Sequence, residues 1–191
     1  MKNMIVILSL VICAALLCGC AAGAPAPAGP ADAAQPDNTL APEDGVSLPA
    51  DLLCAIPEGF SEASAEGMLM WAAPGYPEDG SNISLITSDA VDNAEFLEQA
   101  TVEVFASAIE ESLMSAYGIE TTVEAVRSDS ELDGYSVVRI DAAYAIGEVP
   151  VRQISVNVNA DRLYNYTYTI VGDADWAEAF DASIESLEFV Y

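Results

Sequence analysis

The chain has 191 residues, with 31 acidic side chains, five basic ones and no histidine, for a formal charge of −26 at neutral pH. Such a chain lacks the clustered Lys and Arg that neutralise phosphates, which excludes nucleic-acid binding through the backbone charge. Zinc sites of Cys and His, and the nucleophile–base pairs built on histidine, are excluded with it.

After a single basic residue, Lys2, residues 4–17 run almost wholly apolar from Met4 to Leu17, the layout of a secretory signal. The next stretch, Leu17, Cys18, Gly19 and Cys20, resembles the lipobox of bacterial lipoproteins. That resemblance implies diacylglycerol on the Cys20 thiol, cleavage before Cys20 and acylation of the new amine. Two or three acyl chains at ~0.8 kcal/mol per buried methylene give lasting anchoring. The competing reading is an uncleaved span, since weakly apolar residues continue to Ala22. Gly19, Cys20 and the Gly and Pro that follow are poor helix material and oppose it.

Loss of residues 1–19 removes Lys2 and no acid, leaving four arginines against 31 acids, formally −27. Cys13 and Cys18 leave with the leader and Cys20 takes the lipid, so no intramolecular disulfide is possible. The remaining Cys54, set among Leu52, Leu53, Ala55 and Ile56, reads as a small core residue. From Ala21 to about Val46 the chain is Ala, Pro, Gly, Asp and Glu, with Pro25, Pro27, Pro30, Pro36 and Pro42. It has nothing to bury, so disorder is expected. At up to ~3.1 Å per residue it is a spacer that holds the rest clear of the membrane. The expected organisation is therefore a leader at 1–19, lipidated Cys20 with a linker to residue 46, and one domain over 47–191.

Within that domain a first strand is expected at 50–56, ending at a Pro57, Glu58, Gly59 turn before Phe60. A second, Met68 to Ala73, stops at Pro74 and a Gly75–Gly80 loop, and the two are expected to form a hairpin. Ser81 to Thr87 is the third strand. Thr101 caps a helix running to Tyr117, with Glu103 in the first turn and Gly118 as the stop. Val102, Phe105, Ile109, Leu113 and Ala116 form its core stripe, while Glu110 and Glu111 lie on the solvated side.

After Gly118 the period becomes two. Ile119–Arg127 turns through Asp129–Gly134 into Tyr135–Tyr144; Gly147 turns into Val151–Val158; Asn159, Ala160 and Asp161 turn into Leu163–Val171. Short turns make this an antiparallel meander. In its last strand Tyr164, Tyr166, Tyr168 and Ile170 share one face, opposite Leu163, Asn165, Thr167, Thr169 and Val171. The tyrosine row serves either as packing beneath a helix or as a ligand platform, and strand propensity favours packing. Asp173 is expected to cap a last helix to Leu187 with a Trp176, Phe180, Ile184, Leu187 stripe. Helices on both sides of the strand block give an α+β class, an antiparallel sheet sandwiched by helices.

In their order, several short motifs resemble the PsbP-like fold of the extrinsic photosystem II subunit and a Ran-binding nuclear import factor. They are Ile56–Phe60, the helix ending Ala116, Tyr117, Gly118, the aromatic strand Leu163–Thr169, and the ending Trp176, Phe180, Ile184, Ser186, Leu187, Phe189. The resemblance implies an α/β/α sandwich that docks without chemistry. It transfers no site residues, because the histidines and lysines of those roles are missing and no Ran-binding segment matches.

A glycosidase would need two chosen carboxylates, and the acid-rich domain singles out none. Asp129, Glu131 and Asp133, followed by Gly134, resemble the opening of an EF-hand calcium loop, yet the twelfth position is Ile140 where a bidentate Glu belongs. A plain strand-joining turn explains the same residues. Asn82–Ser84 and Asn165–Thr167 match a glycosylation sequon that a bacterial-type lipoprotein does not use. The expectation is a lipid-anchored protein of the extracytoplasmic membrane face. It has no catalytic residue and no cofactor, and its acidic domain binds a protein or envelope partner. A small-ligand or calcium-binding domain is the alternative.

Overall fold

The structure is a computed structural model that describes residues 51–65 and 68–191. The leader, Cys20, the linker and the start of the domain at residue 47 lie outside the described residues. Seven strands form one antiparallel sheet in the order β2 (Ser61–Ala65), β3 (Met68–Ala72), β4 (Asn82–Asp89), β8 (Arg162–Val171), β7 (Val149–Asn159), β6 (Tyr135–Ile146), β5 (Glu124–Leu132). A separate ribbon pairs β1 (Asp51–Leu53) with β9 (Glu188–Val190). Among the described residues there are three helices: α1 (Asn93–Gln99), α2 (Val102–Tyr117) and α3 (Ala177–Glu185).

The expected meander of β5 to β8 is present, and β4 joins it along β8. The expected first hairpin is not. Met68–Ala72 pairs instead with Ser61–Ala65, a polar strand with no apolar alternation to announce it, while Leu52 pairs with Phe189. Register explains the choice: Leu52 and Phe189 are the buried members of the ribbon, and both join the aromatic core. Strand β5 also runs further than expected, to Leu132. The turn to β6 is only Asp133 and Gly134, both at positive φ.

Helix α2 has the expected ends. Thr101 Oγ1 accepts from the Val104 N–H, and Gly118, at φ 65°, closes the last turn in the left-handed conformation. Phe105, Ile109 and Leu113 are buried, but Ala116 of the expected stripe is exposed. Helix α1 was not anticipated; Asp92 caps it, accepting from the Ala94 and Glu95 N–H groups. Its carbonyl end is held from the sheet, where Arg127 Nη1 donates to Leu97 O at 2.9 Å and Ala100 O at 2.8 Å. A cation at this end also suits the helix dipole.

Helix α3 starts at Ala177, not at Asp173, and Trp176 stands at its cap without a side-chain capping bond. The Trp176 indole is instead committed to the 74–80 loop, donating to Asp79 Oδ2 at 2.7 Å. Phe60 meets Trp176 and Phe180 edge-on, at ring centroid distances of 4.9 and 5.6 Å. Gly59 makes this approach possible. It sits at φ 85°, and a Cβ there would lie 2.8 Å from Pro74 Cγ. Gly59→Ala is therefore expected to lower stability by about 1–2 kcal/mol, read as a reduced midpoint in chemical denaturation.

Candidate functional site

Alternation divides the side chains of the central strands between two faces. On one face Tyr164, Tyr166 and Tyr168 are at most 1% exposed, packed with Val156, Ile154, Phe180 and Phe189. Each hydroxyl has a partner: Tyr166 donates to Leu52 O at 2.7 Å, Tyr164 to Asp161 at 3.2 Å, and Tyr168 meets Ser183 Oγ at 3.3 Å. The half-buried Cys54 packs against the same cluster. Burial, with Asp161 nearby, pushes the Tyr164 hydroxyl up to about 12, and burial raises Tyr166 and Tyr168 further. The row is a core, and the platform reading does not hold.

The opposite face carries what the sequence reading passed over. Asn82 and Ser84 on β4, Asn165, Thr167 and Thr169 on β8, and Gln153 and Ser155 on β7 are all buried. Register sets them side by side: Ser84 opposite Thr167, Thr167 opposite Ser155, Thr169 opposite Gln153. Burying polar groups of this kind is costly unless they are bonded, and most are. Asn165 Nδ2 donates to Asn157 Oδ1 at 2.6 Å and to Ser155 Oγ at 2.9 Å, and Thr167 donates to Asn165 Oδ1 at 3.0 Å. At the margin Tyr144 donates to Gln153 Oε1 at 3.2 Å. Among the described residues, Thr169 Oγ1 is the buried side-chain atom without a hydrogen bond. The signal for this array was the alternation of Asn, Ser, Thr and Gln along two strands whose other face is apolar.

Chemically the array offers uncharged donors and acceptors. Ser155 Oγ accepts from two amides, an arrangement that gives its hydroxyl no base. Asn82 and Asn165, the acceptors of the two sequons, are 2% and 7% exposed within strands, so neither is presented to a modifying enzyme.

The acidic candidates are placed differently from the expected loop. Asp129 and Glu131 lie in β5, extended and paired with β6, and Asp133 sits in the turn. Arg127 grips the Asp129 carboxylate through Nε at 2.6 Å and Nη2 at 2.9 Å, and these bonds hold it below its usual range. Among the described residues no three Asp, Glu or Cys side chains converge as a metal site would require. Each of the four arginines sits beside a carboxylate: Arg139 with Asp141 and Asp181, Arg152 with Asp141, Arg162 with Asp161. Glu110 accepts from the Val123 N–H at 3.0 Å and fastens the loop after α2. With Glu111, Met114, Ser115, Glu120 and Thr121 it lines a shallow, open depression.

No protein-family model and no curated protein matches this chain. Among solved structures it is similar to the cyanobacterial PsbP protein, CyanoP, of Synechocystis, with 14% identity and a TM-score of 0.56 over 73% of this chain and 86% of that one. It is also similar to LpqN of Mycobacterium tuberculosis, a protein involved in cell envelope biogenesis, with 15% identity and a TM-score of 0.47 over 73% and 83%. The likeness to CyanoP shows a PsbP-like fold, as the order of the motifs suggested.

Two outcomes follow from the two faces. Tyrosines ionise near pH 10 in an unfolded chain, whereas Tyr164 holds its proton to about pH 12 in the fold. Folding therefore keeps this contribution below pH 10 and loses it as pH rises towards 12. Tyrosinate absorbance should show part of the eight tyrosines ionising only together with loss of circular dichroism. On the other face, Thr169→Val removes an unbonded hydroxyl at nearly constant shape, and a gain of about 1 kcal/mol is expected in denaturant titration.

Proposed function

We propose that this protein is an extracytoplasmic lipoprotein, anchored through Cys20, whose domain is an α/β/α sandwich of PsbP type that docks a partner without catalysing a reaction. The observation that carries the proposal is the run Leu17, Cys18, Gly19, Cys20 at the end of an acid-free apolar leader. The domain is consistent with docking on three grounds. It has no histidine, its arginines are paired with carboxylates, and the hydroxyls of Tyr164, Tyr166 and Tyr168 are bonded inside the core. Among the described residues no helix is long and apolar enough to cross a membrane; the proposed hold on the membrane is the lipid on Cys20.

The partner is a protein or an envelope component. A polyanion is unsuitable, because at a formal −27 after cleavage the chain repels it within a Debye length of about 8 Å. The decisive experiment replaces Cys20 with Ala in the full chain and follows metabolic labelling with palmitate beside fractionation. The expected result is loss of label and release from the membrane fraction. Unchanged label and unchanged sedimentation would sink the proposal.

A further inference from the structure

Strand β5 ends the seven-stranded sheet, and among the described residues nothing pairs with its outer side. It is nine residues long, and Val126 on it is 70% exposed, one of the most open apolar side chains described. An unpaired row of N–H and C=O groups of this length is a template for another strand, and proteins usually blunt such edges with charge. Here the charges are arranged so that they match themselves. We infer that β5 is the contact through which two copies of this chain associate, pairing antiparallel about a two-fold axis at Ser128.

Register makes the case. With Ser128 opposite Ser128 of the second copy, Arg127 stands opposite the second copy's Asp129, and Asp129 opposite its Arg127. Val126 then faces Ser130, Ala125 faces Glu131, and Glu124 faces Leu132, so no like charges meet directly. Directly opposed side chains on one face have Cβ atoms about 4.5–5.5 Å apart, close enough for an ion pair. Shifting to the neighbouring registers of the same facing sets Arg127 on Arg127 or Asp129 on Asp129, while an odd shift turns one strand over. Among these registers, the one centred on Ser128 sets Arg127 and Asp129 of the two copies face to face.

The side chains have capacity left for it. Arg127 uses its Nε–H, both Nη1 hydrogens and one Nη2 hydrogen on Asp129, Leu97 and Ala100, four of the five guanidinium N–H donors. The Asp129 side chain is 54% exposed and accepts one bond on each oxygen, which leaves lone pairs for a second guanidinium. Two Arg and two Asp then alternate around the axis as a neutral cluster. Salt screens the remaining acids of the two copies beyond about 8 Å.

The test is cross-linking in the full chain. Ser128→Cys places two thiols across the axis at a separation that a disulfide spans. After mild oxidation it should give a dimer on a non-reducing gel severalfold above both the unsubstituted chain and Val126→Cys, which is also exposed but off the axis. Co-expressed Val126→Cys and Ser130→Cys chains should cross-link to each other. Adding Arg127→Asp to Ser128→Cys should reduce the dimer to background, and the further exchange Asp129→Arg should restore it, with thermal melts confirming that each variant is folded. Ser128→Cys cross-linking no better than Val126→Cys, or an exchange that fails to restore the dimer, would overturn the inference. Either result reads independently of lipid on Cys20, because fractionation reports that separately.

Discussion

Strand β8 is hemmed in on every side, between β4 and β7 in the sheet, beneath Phe180 and Phe189 on its tyrosine face and within the bonded amide and hydroxyl array on the other. Burial on both faces of an antiparallel strand is unusual, since such sheets commonly leave one face to solvent. It means that β8 cannot move without disturbing the aromatic packing and the polar array together. The hydroxyl of Tyr166 extends the constraint outward: by donating to Leu52 O it fixes the ribbon of the first and last strands over the sheet. The short helix α3 then closes the tyrosine face with Phe180.

Much of this was legible because it rests on periodicity. The meander from β5 to β8, the ends of α2 at Thr101 and Gly118, and the shared face of Tyr164, Tyr166 and Tyr168 all follow from spacing and from capping or turn residues. The unread parts are those whose cause is tertiary. Ser61–Ala65 is a strand because Met68–Ala72 needs a neighbour, and Asp51–Leu53 and Glu188–Val190 are strands because Leu52 and Phe189 must reach the same core. Three-residue strands carry no period of their own. Asp129 and Glu131 suggested a loop by composition. Nothing local in their sequence reveals that Arg127 would take the Asp129 carboxylate within an extended strand.

The charge pattern has a similar logic. A chain with four arginines has few cations to place, and each of them sits beside a carboxylate of the fold. Arg127 ties β5 to α1, and Arg139 ties β6 to Asp181 on α3. The outer surface is left to carboxylates, which keeps it soluble and selects against anionic partners. Recognition by this domain therefore has to come from uncharged groups, from exposed strand backbone, or from a partner that brings the positive charge.

The ribbon of β1 and β9 has one further implication. Among the described residues these two strands have no sheet partner but each other, so the first and last described strands work as a latch. A cut, a truncation or a bulky addition at either end removes the other end's hydrogen-bonding partner and uncovers the aromatic core beneath. The two ends would come loose as a unit, leaving the seven-stranded sheet as the last part to yield.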